Sequence, residues 1–282
     1  MNSDGAADGR PRAIAINVGA NTNLPGIRGP VFPDGGFSYV PIPERAATGG
    51  SVPTYADLDV DLGAGAAVPA DARDRPVHLD PEFPDYPGGE AYTYGDEHGV
   101  KAGPLSRLDP GDRLYFYATL DARRRTDPAG RQPSGDAPAP TADAEDPTPD
   151  ARDWIVDGWG AYLIAVFEVE TVLTGDAWSD CDSATRERFA NNAHVKRDPF
   201  DAAVLVAGGP GSRLFDRAVP LSAPDAGTTA NRVVTALSND SGRGPWWRRR
   251  LWFDADATAE LRDIVADRPF ETDPAVLSVG SG

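Results

Sequence analysis

The sequence predicts an α+β fold: a curved or barrel-like mixed β-sheet with a few short helices around a single core. Three observations carry this. Short runs rich in β-branched and aromatic residues recur along the chain, bounded by Gly, Pro, Asp and Asn. They do not alternate regularly with helical segments, which argues against a doubly wound parallel sheet. The 30 Gly and 27 Pro among 282 residues require many turns and irregular connections and speak against a helical bundle. Hydrophobic residues make up 40%, enough for one sizeable interior, and a chain of this length can still fold around one core.

Residues 1–11 read as a disordered leader to a single domain over 12–282. Residues 12–18 (RAIAINV) form a buried strand that runs into a turn-rich loop, Gly19 to Pro30. Residues 37–42 (FSYVPI) read as a second strand, with Pro41 marking an edge or an end. A short strand is expected at 77–79. The turn Asp109-Pro110-Gly111-Asp112 leads into 113–120 (RLYFYATL), the clearest strand signal of the first half. Residues 124–152 are acidic, rich in Pro, Ala and Gly, and lack core-forming side chains, so ordering them would go uncompensated. They read as a disordered insertion, an expanded loop between strand 113–120 and strand 160–173, its partner in one sheet. A short helix is expected at 183–191, capped by Asp182 or Ser183, and a buried strand at 202–207. Gly208–Gly211 should open a helical turn at Ser212-Arg213. Residues 229–237 read as helical, and Asp254 caps a last helix over 256–266.

Net charge is −17, and Lys101 and Lys196 are the only lysines among 27 basic residues. A surface of hydrated carboxylates with almost no lysine stems suits molar salt. An acidic protein from a GC-rich genome would share the Arg, Ala, Gly, Pro and Asp bias, but the lysine deficit and the charge together favour salt adaptation. At molar salt the Debye length is roughly 3 Å, so distant carboxylates repel a polyanion little, and counterion release contributes little affinity. Net charge therefore neither supports nor excludes a nucleic-acid partner. Cys181 stands alone, which excludes an internal disulfide and a cysteine-based zinc site. No apolar run approaches a signal peptide or a membrane span, so the expected compartment is the cytoplasm.

Several clusters offer chemistry, each with a plainer reading. Asn17, Asn21 and Arg28, with Asp34 further on, lie in or beyond a loop leaving a strand, where amides could read a base edge or hold a phosphate; a turn-rich loop is the plainer reading. Phe37, Tyr39 and Glu44 could stack and bond a base, or belong to an edge strand. His78, Asp80, Glu82, Asp96 and His98 could bind a divalent metal or do acid–base work, although among 44 acids such proximity also arises by chance. His194, Lys196 and Arg197 make a local positive cluster that suits a phosphate, or simply a helix C-terminus. Arg213 beside the Gly-rich bend could assist an anion. Residues 246–252 (WWRRRLW) could clamp nucleic acid or pack onto the sheet. There is no GxSxG, no HExxH and no trustworthy Cys-His pair.

Residues 16–44 (INVGANTNLPGIRGPVFPDGGFSYVPIPE), 78–83 (HLDPEF), 93–97 (TYGDE), 111–120 (GDRLYFYATL), 191–197 (NNAHVKR) and 211–222 (GSRLFDRAVPLS) together resemble the third type of nucleotide-modification-associated domain. Strands 111–120 and 161–173 are also similar, over a short stretch, to the hairpin of PUA-like and EVE-type base-binding barrels. The first resemblance implies involvement with a nucleotide or a modified DNA base, without supplying a reaction or a cofactor. It carries Asp34, Glu44, Asp80, Glu82 and His194 as catalytic candidates. Asn17, Asn21, Arg28, Asp96, Lys196 and Arg213 are carried as nucleotide-binding candidates. Enzyme, non-catalytic base reader and accessory structural protein all remain open. Convergence of the carboxylates with His194 in one cleft is the mark of the first.

Overall fold

The computed structural model describes residues 12–97, 99–126 and 152–278. The expected leader and residues 127–151 of the expected insertion lie outside the described residues. In chain order the elements are β1 (Ala13–Asn17), β2 (Gly29–Val31), β3 (Thr93–Asp96), α1 (Gly99–Leu105), β4 (Arg113–Ala122) and β5 (Trp159–Thr174). There follow α2 (Ser183–Arg188), α3 (Ala193–Lys196), β6 (Val204–Gly208), β7 (Arg213–Pro220), the small pair β8 (Ser222–Ala223) and β9 (Ala226–Ala230), β10 (Leu251–Phe253) and α4 (Ala255–Asp267).

Eight strands form one mixed sheet in the order β10-β1-β4-β5-β6-β3, with β2 also on β4 and β7 also on β5. β1 and β2 run parallel to β4, and the other pairs are antiparallel. The predicted α+β class with a mixed sheet is what the chain adopts. The sheet curves without closing into a barrel. Its bend follows from register shifts along β5, opposite β4 at Phe116/Tyr117, opposite β7 at Leu163/Ala165 and opposite β6 at Val169/Thr171, since such irregularities bend and twist a strand. The curl brings β3 back over β4: Tyr94 packs on Phe116 at 5.5 Å between ring centroids, although β5 and β6 intervene in the sheet. Phe116 and Phe167 meet edge to face at 4.7 Å and Phe83 joins them, which gives the core an aromatic centre.

One consequence of the topology places the site. β1 lies along Arg113–Tyr117 of β4 and β2 lies along Leu120–Ala122 of the same edge. Residues 18–28 therefore leave the sheet in the gap between them, opposite Thr119, and build a wall over the concave side.

The long strands β4 and β5 pair as expected, and Asp182 and Asp254 cap α2 and α4 by accepting from the amides of Thr185 and Ala257 at 2.8 and 2.9 Å. Other expectations are corrected. Residues 37–42 are extended but make no strand: Phe37 has an isolated bridge to Val31, and Pro41 and Pro43 lack the donors of a ladder. Val77 likewise makes only an isolated bridge, to Pro43. Ser212-Arg213 opens β7 and not a helical turn, because β5 has a free edge there to pair. The segment at 229–237 divides into the end of β9 and one wide helical turn, Val233–Leu237. No helix among the described residues is long and apolar enough to cross a membrane.

Candidate functional site

The concave side of the sheet holds an open cleft of ≈ 530 Å³, a size suited to a nucleobase with its sugar. Asn17 at the end of β1, the loop residues Asn21, Asn23 and Arg28, and Thr119 of β4 form one wall. Tyr94, Asp96 and Glu97 from β3 and just beyond it form the opposite wall. Arg45, Lys101 and Arg248 stand at the cleft with Trp247. A second depression of ≈ 490 Å³ shares Asn17, Lys101 and Arg248 and adds Arg249 and Arg250. In a chain of charge −17 this is a local concentration of cations. Arg28 is held in place by Asp121 at 3.0 Å and by the face of Trp159 at 4.6 Å.

The floor consists of His78, Asp80 and His194. His78 and Asp80 sit in the irregular segment between residue 76 and β3, where the Asp80 amide donates to the His78 carbonyl at 2.9 Å. Leu79 and Phe83 enter the core, while His78, Asp80 and Glu82 take the polar side. His194 comes from the single turn α3, whose cap Asn192 accepts from the His194 amide at 3.0 Å. The Asn192 side chain also donates to Asp80 Oδ1 and to Thr93 Oγ1, both at 3.1 Å. The Gly95 amide donates to the same Asp80 oxygen at 2.8 Å. Asp80 Oδ2 faces the two imidazoles, with His194 Nε2 at 3.6 Å and His78 Nε2 at 3.9 Å. The rings meet edge to face, 5.0 Å apart.

Each histidine is anchored from behind. His78 Nδ1 lies 2.6 Å from Glu44 Oε2 and His194 Nδ1 lies 2.8 Å from Asp201 Oδ1. A hydrogen bond from Nδ1–H to a carboxylate fixes the tautomer and leaves Nε2 as a lone pair. Arg197 ties the two anchors together: its guanidinium donates to Glu44 at 2.8 Å, to Asp201 at 2.6 Å and to Glu97 at 2.6 Å.

These contacts set the charge states. Burial pushes the Asp80 carboxyl well above the carboxylate range, against the opposing bonds from Gly95 and Asn192. Burial, aided by the nearby His78, lowers His194 to about 4 against the pull of Asp201, so this imidazole is neutral at pH 7. Burial would raise Glu44 too, but the bonds from His78, the Ala46 amide and Arg197 outweigh it and hold the carboxyl far below its ordinary value. Asp201 is lowered in the same way by His194 and Arg197 over the opposing effect of burial.

Of the residues singled out from sequence, Asn17, Asn21, Arg28, Asp80, Asp96 and His194 meet in this cleft, and Glu44 stands behind it. Asn21 spends its side-chain oxygen on the amides of Asn23 and Leu24 and shapes the loop. Four residues fall elsewhere. Asp34 is exposed, pairs with Arg125 at 3.0 Å and closes its own turn through Gly36. Glu82 is buried and fully engaged by Glu90, Ala91, Thr93 and Asn191. Lys196 bonds Asn191 and lies outside the cleft. Arg213 is an exposed residue of β7 over the ring of Phe215. Sequence reasoning named His78 and Arg197 as members of candidate clusters without carrying them as site residues, and it left Lys101, Asp201 and Thr119 out. For Lys101 the available signal was that it is one of only two lysines.

A curved mixed sheet with two anchored histidines and a buried carboxylate at the foot of a polar cleft defines an α+β protein with a ligand-accessible titratable centre. The family is more specific: residues 12–263 match the model of nucleotide modification associated domain 3, and the chain belongs to that family. No curated protein and no solved structure matches the chain. The similarity to PUA-like and EVE barrels gains no support from this open sheet. Membership associates the protein with nucleotide modification, and every site residue named above lies within the matched span.

Proposed function

We propose that this protein is an enzyme of nucleotide modification that takes a nucleotide, or a base displaced from DNA, into the cleft over His78, Asp80 and His194. The observation that carries the proposal is the convergence of these three buried side chains at the floor of an open cleft. A reader of modified bases needs an aromatic slot and polar edges. It does not need two histidines each anchored through Nδ1 by a carboxylate, an arrangement that serves proton transfer or ligation. Asn17 and the loop of residues 21–28 supply amides for the polar edge of a base. Arg45, Lys101 and Arg248 supply the charge for phosphate, and the adjoining depression with Arg249 and Arg250 extends that surface along a strand. His194 and Asp80 are the catalytic residues in this reading, with His78 beside them. Glu44, Asp201 and Arg197 position them.

The test is incubation of the full chain in molar salt with nucleotides and with unmodified and modified DNA, following binding and products by mass spectrometry. Product formation that is lost in Asp80→Asn and His194→Ala, with nucleotide binding retained, is the expected result. Binding without product from any substrate would overturn the enzymatic reading in favour of a reader. Absence of both would leave an accessory structural role.

A further inference from the structure

We propose that His78, Asp80 and His194 bind one divalent first-row transition-metal ion at the floor of the cleft. The proposal deepens the enzymatic reading by naming the group at its centre, and its test does not depend on any nucleotide.

The three side chains offer one ligand atom each, all within 4.8 Å of one another. The separations of 3.6 and 3.9 Å between Asp80 Oδ2 and the two Nε2 atoms exceed a hydrogen bond. Two ligands that share an ion at about 2.1 Å in tetrahedral geometry lie about 3.4 Å apart, so these atoms are spaced for a common ion and not for each other. Asp80 is the decisive residue. Its side chain is 2% exposed, its Oδ1 is engaged by Gly95 and Asn192, and its Oδ2 has no donor within hydrogen-bonding distance among the described residues. This oxygen opens onto the cleft beside the two Nε2 atoms, where a cation can reach it.

The surroundings have the form that metal centres take. Both imidazoles present Nε2 inward and give Nδ1 to a carboxylate, the arrangement that orients a ligating histidine and raises its basicity. Two such carboxylate–histidine pairs, locked together by Arg197, converge on one point. Two imidazoles with one carboxylate suit a first-row transition ion better than magnesium or calcium, which take oxygen ligands. Three protein ligands on a cleft floor leave a position open towards the substrate, the pattern of a catalytic centre. The neighbouring group Glu97, His194 and Asp201 also falls within ligand spacing. It is not a second site, because His194 and Asp201 there already bond each other.

The experiment uses the full chain in molar salt, stripped with a chelator and titrated separately with Zn(II), Co(II), Mn(II) and, without oxygen, Fe(II). Bound metal is measured by elemental mass spectrometry after gel filtration, and the Co(II) visible spectrum reports nitrogen ligation. The expected result is one ion per chain for at least one of these metals, with affinity falling about 100-fold or more in Asp80→Asn, His78→Ala and His194→Ala. Glu44→Gln and Asp201→Asn should cost about 10–100-fold, and Asp34→Asn, far from the cleft, should bind as the wild type. Asp80→Asn keeps the Oδ1 acceptor and the packing, so it carries the test even if a histidine variant fails to fold. Failure of all four metals to bind stoichiometrically would overturn the proposal, as would undiminished binding in Asp80→Asn. The two readings fail separately. A bound ion with no turnover of any nucleotide refutes the enzyme and leaves the metal, and turnover by the stripped protein in excess chelator refutes the metal and leaves the enzyme.

Discussion

Gly95 is the most exacting point of contact between the fold and the centre, and replacing it by alanine tests the geometry without touching a polar group. Gly95 lies in β3 paired with Leu205 of β6, in ordinary strand geometry, so alanine adds no backbone strain. A Cβ built there would lie 2.8 Å from His194 Cδ2, 3.1 Å from His194 Cγ and 3.1 Å from Asn192 Oδ1. Carbon atoms settle at about 3.5–4.0 Å, so the imidazole would have to retreat by roughly 0.7–1.2 Å. The ring is pinned on its far side by Asp201, and Asn192 is fully buried, so neither neighbour yields freely. Overpacking of this kind costs about 1–3 kcal/mol, partly offset by about 0.5–1 kcal/mol from replacing a strand glycine. A net loss of about 1–2 kcal/mol corresponds to a fall in Tm of roughly 2–8 °C for a chain of this size. The assay is a double-mutant cycle in thermal unfolding. Gly95→Ala should be destabilising in the wild type and clearly less so in His194→Ala, where the ring is gone and only the Asn192 contact at 3.1 Å remains. Equal cost in both backgrounds would refute the claim that His194 packs onto the Gly95 backbone, and with it the geometry of the floor.

Other perturbations read other parts of the structure. Arg197→Met leaves the buried Glu44 and the part-exposed Asp201 without their shared cation and should cost about 3 kcal/mol, the low end for a broken buried pair, measured by denaturant unfolding; a loss under about 1 kcal/mol, the scale of an exposed pair, would show that solvent compensates them. Glu271 accepts from Arg152, Arg217 and Arg268, which together outweigh burial and lower its pKa from 4.5. A depressed carboxyl contributes stability that is present above its unfolded value and is lost as pH falls through the folded one. The wild type should therefore exceed Glu271→Gln in Tm at pH 7, with the gap closing as pH drops below about 4.5; a gap that persists under strong acid would mean the contacts act through packing alone. Arg45→Gln combined with Arg248→Gln should weaken nucleotide binding and leave thermal stability unchanged, because both are exposed at the cleft, whereas Arg213→Gln should change neither.

The strands that were legible in the sequence are those in which one periodicity is enforced on a long segment. β4 and β5 are apolar over most of their length because sheet and core cover both faces, and their turn signals are strong. Segment 37–42 has the same residue types, yet two prolines and the absence of a continuous neighbour leave it as bridges to loops. β2, β7 and β10 were not legible: Gly29–Val31 and Leu251–Phe253 are too short for a periodic signal, and the strand identity of 213–220 depends on an edge of β5 that exists only after the sheet bends. The site was legible to the extent that polar residues gather beside loops. Which of them share a cleft depends on the curl that returns β3 to β4, a tertiary property with no local trace.

Asp80 and Glu82 show why composition could not separate function from scaffold. They lie two residues apart and are both buried. Glu82 is satisfied on both oxygens: Oε1 takes the amides of Glu90 and Ala91 and the side chain of Asn191, and Oε2 takes the hydroxyl of Thr93 at 2.6 Å. Its charge is spent on holding the loop after Phe83 to the edge of β3, and Glu82→Gln should therefore lower stability without lowering metal affinity. Asp80 is bonded on one oxygen only, and the other faces the two Nε2 atoms at 3.6 and 3.9 Å, beyond hydrogen-bonding distance. The difference lies entirely in how many hydrogen-bond donors the fold delivers to each carboxylate. If Glu82→Gln were to abolish metal binding in a protein of unchanged Tm, donor counting would be the wrong criterion here, and the centre would have to be sought around the other acid.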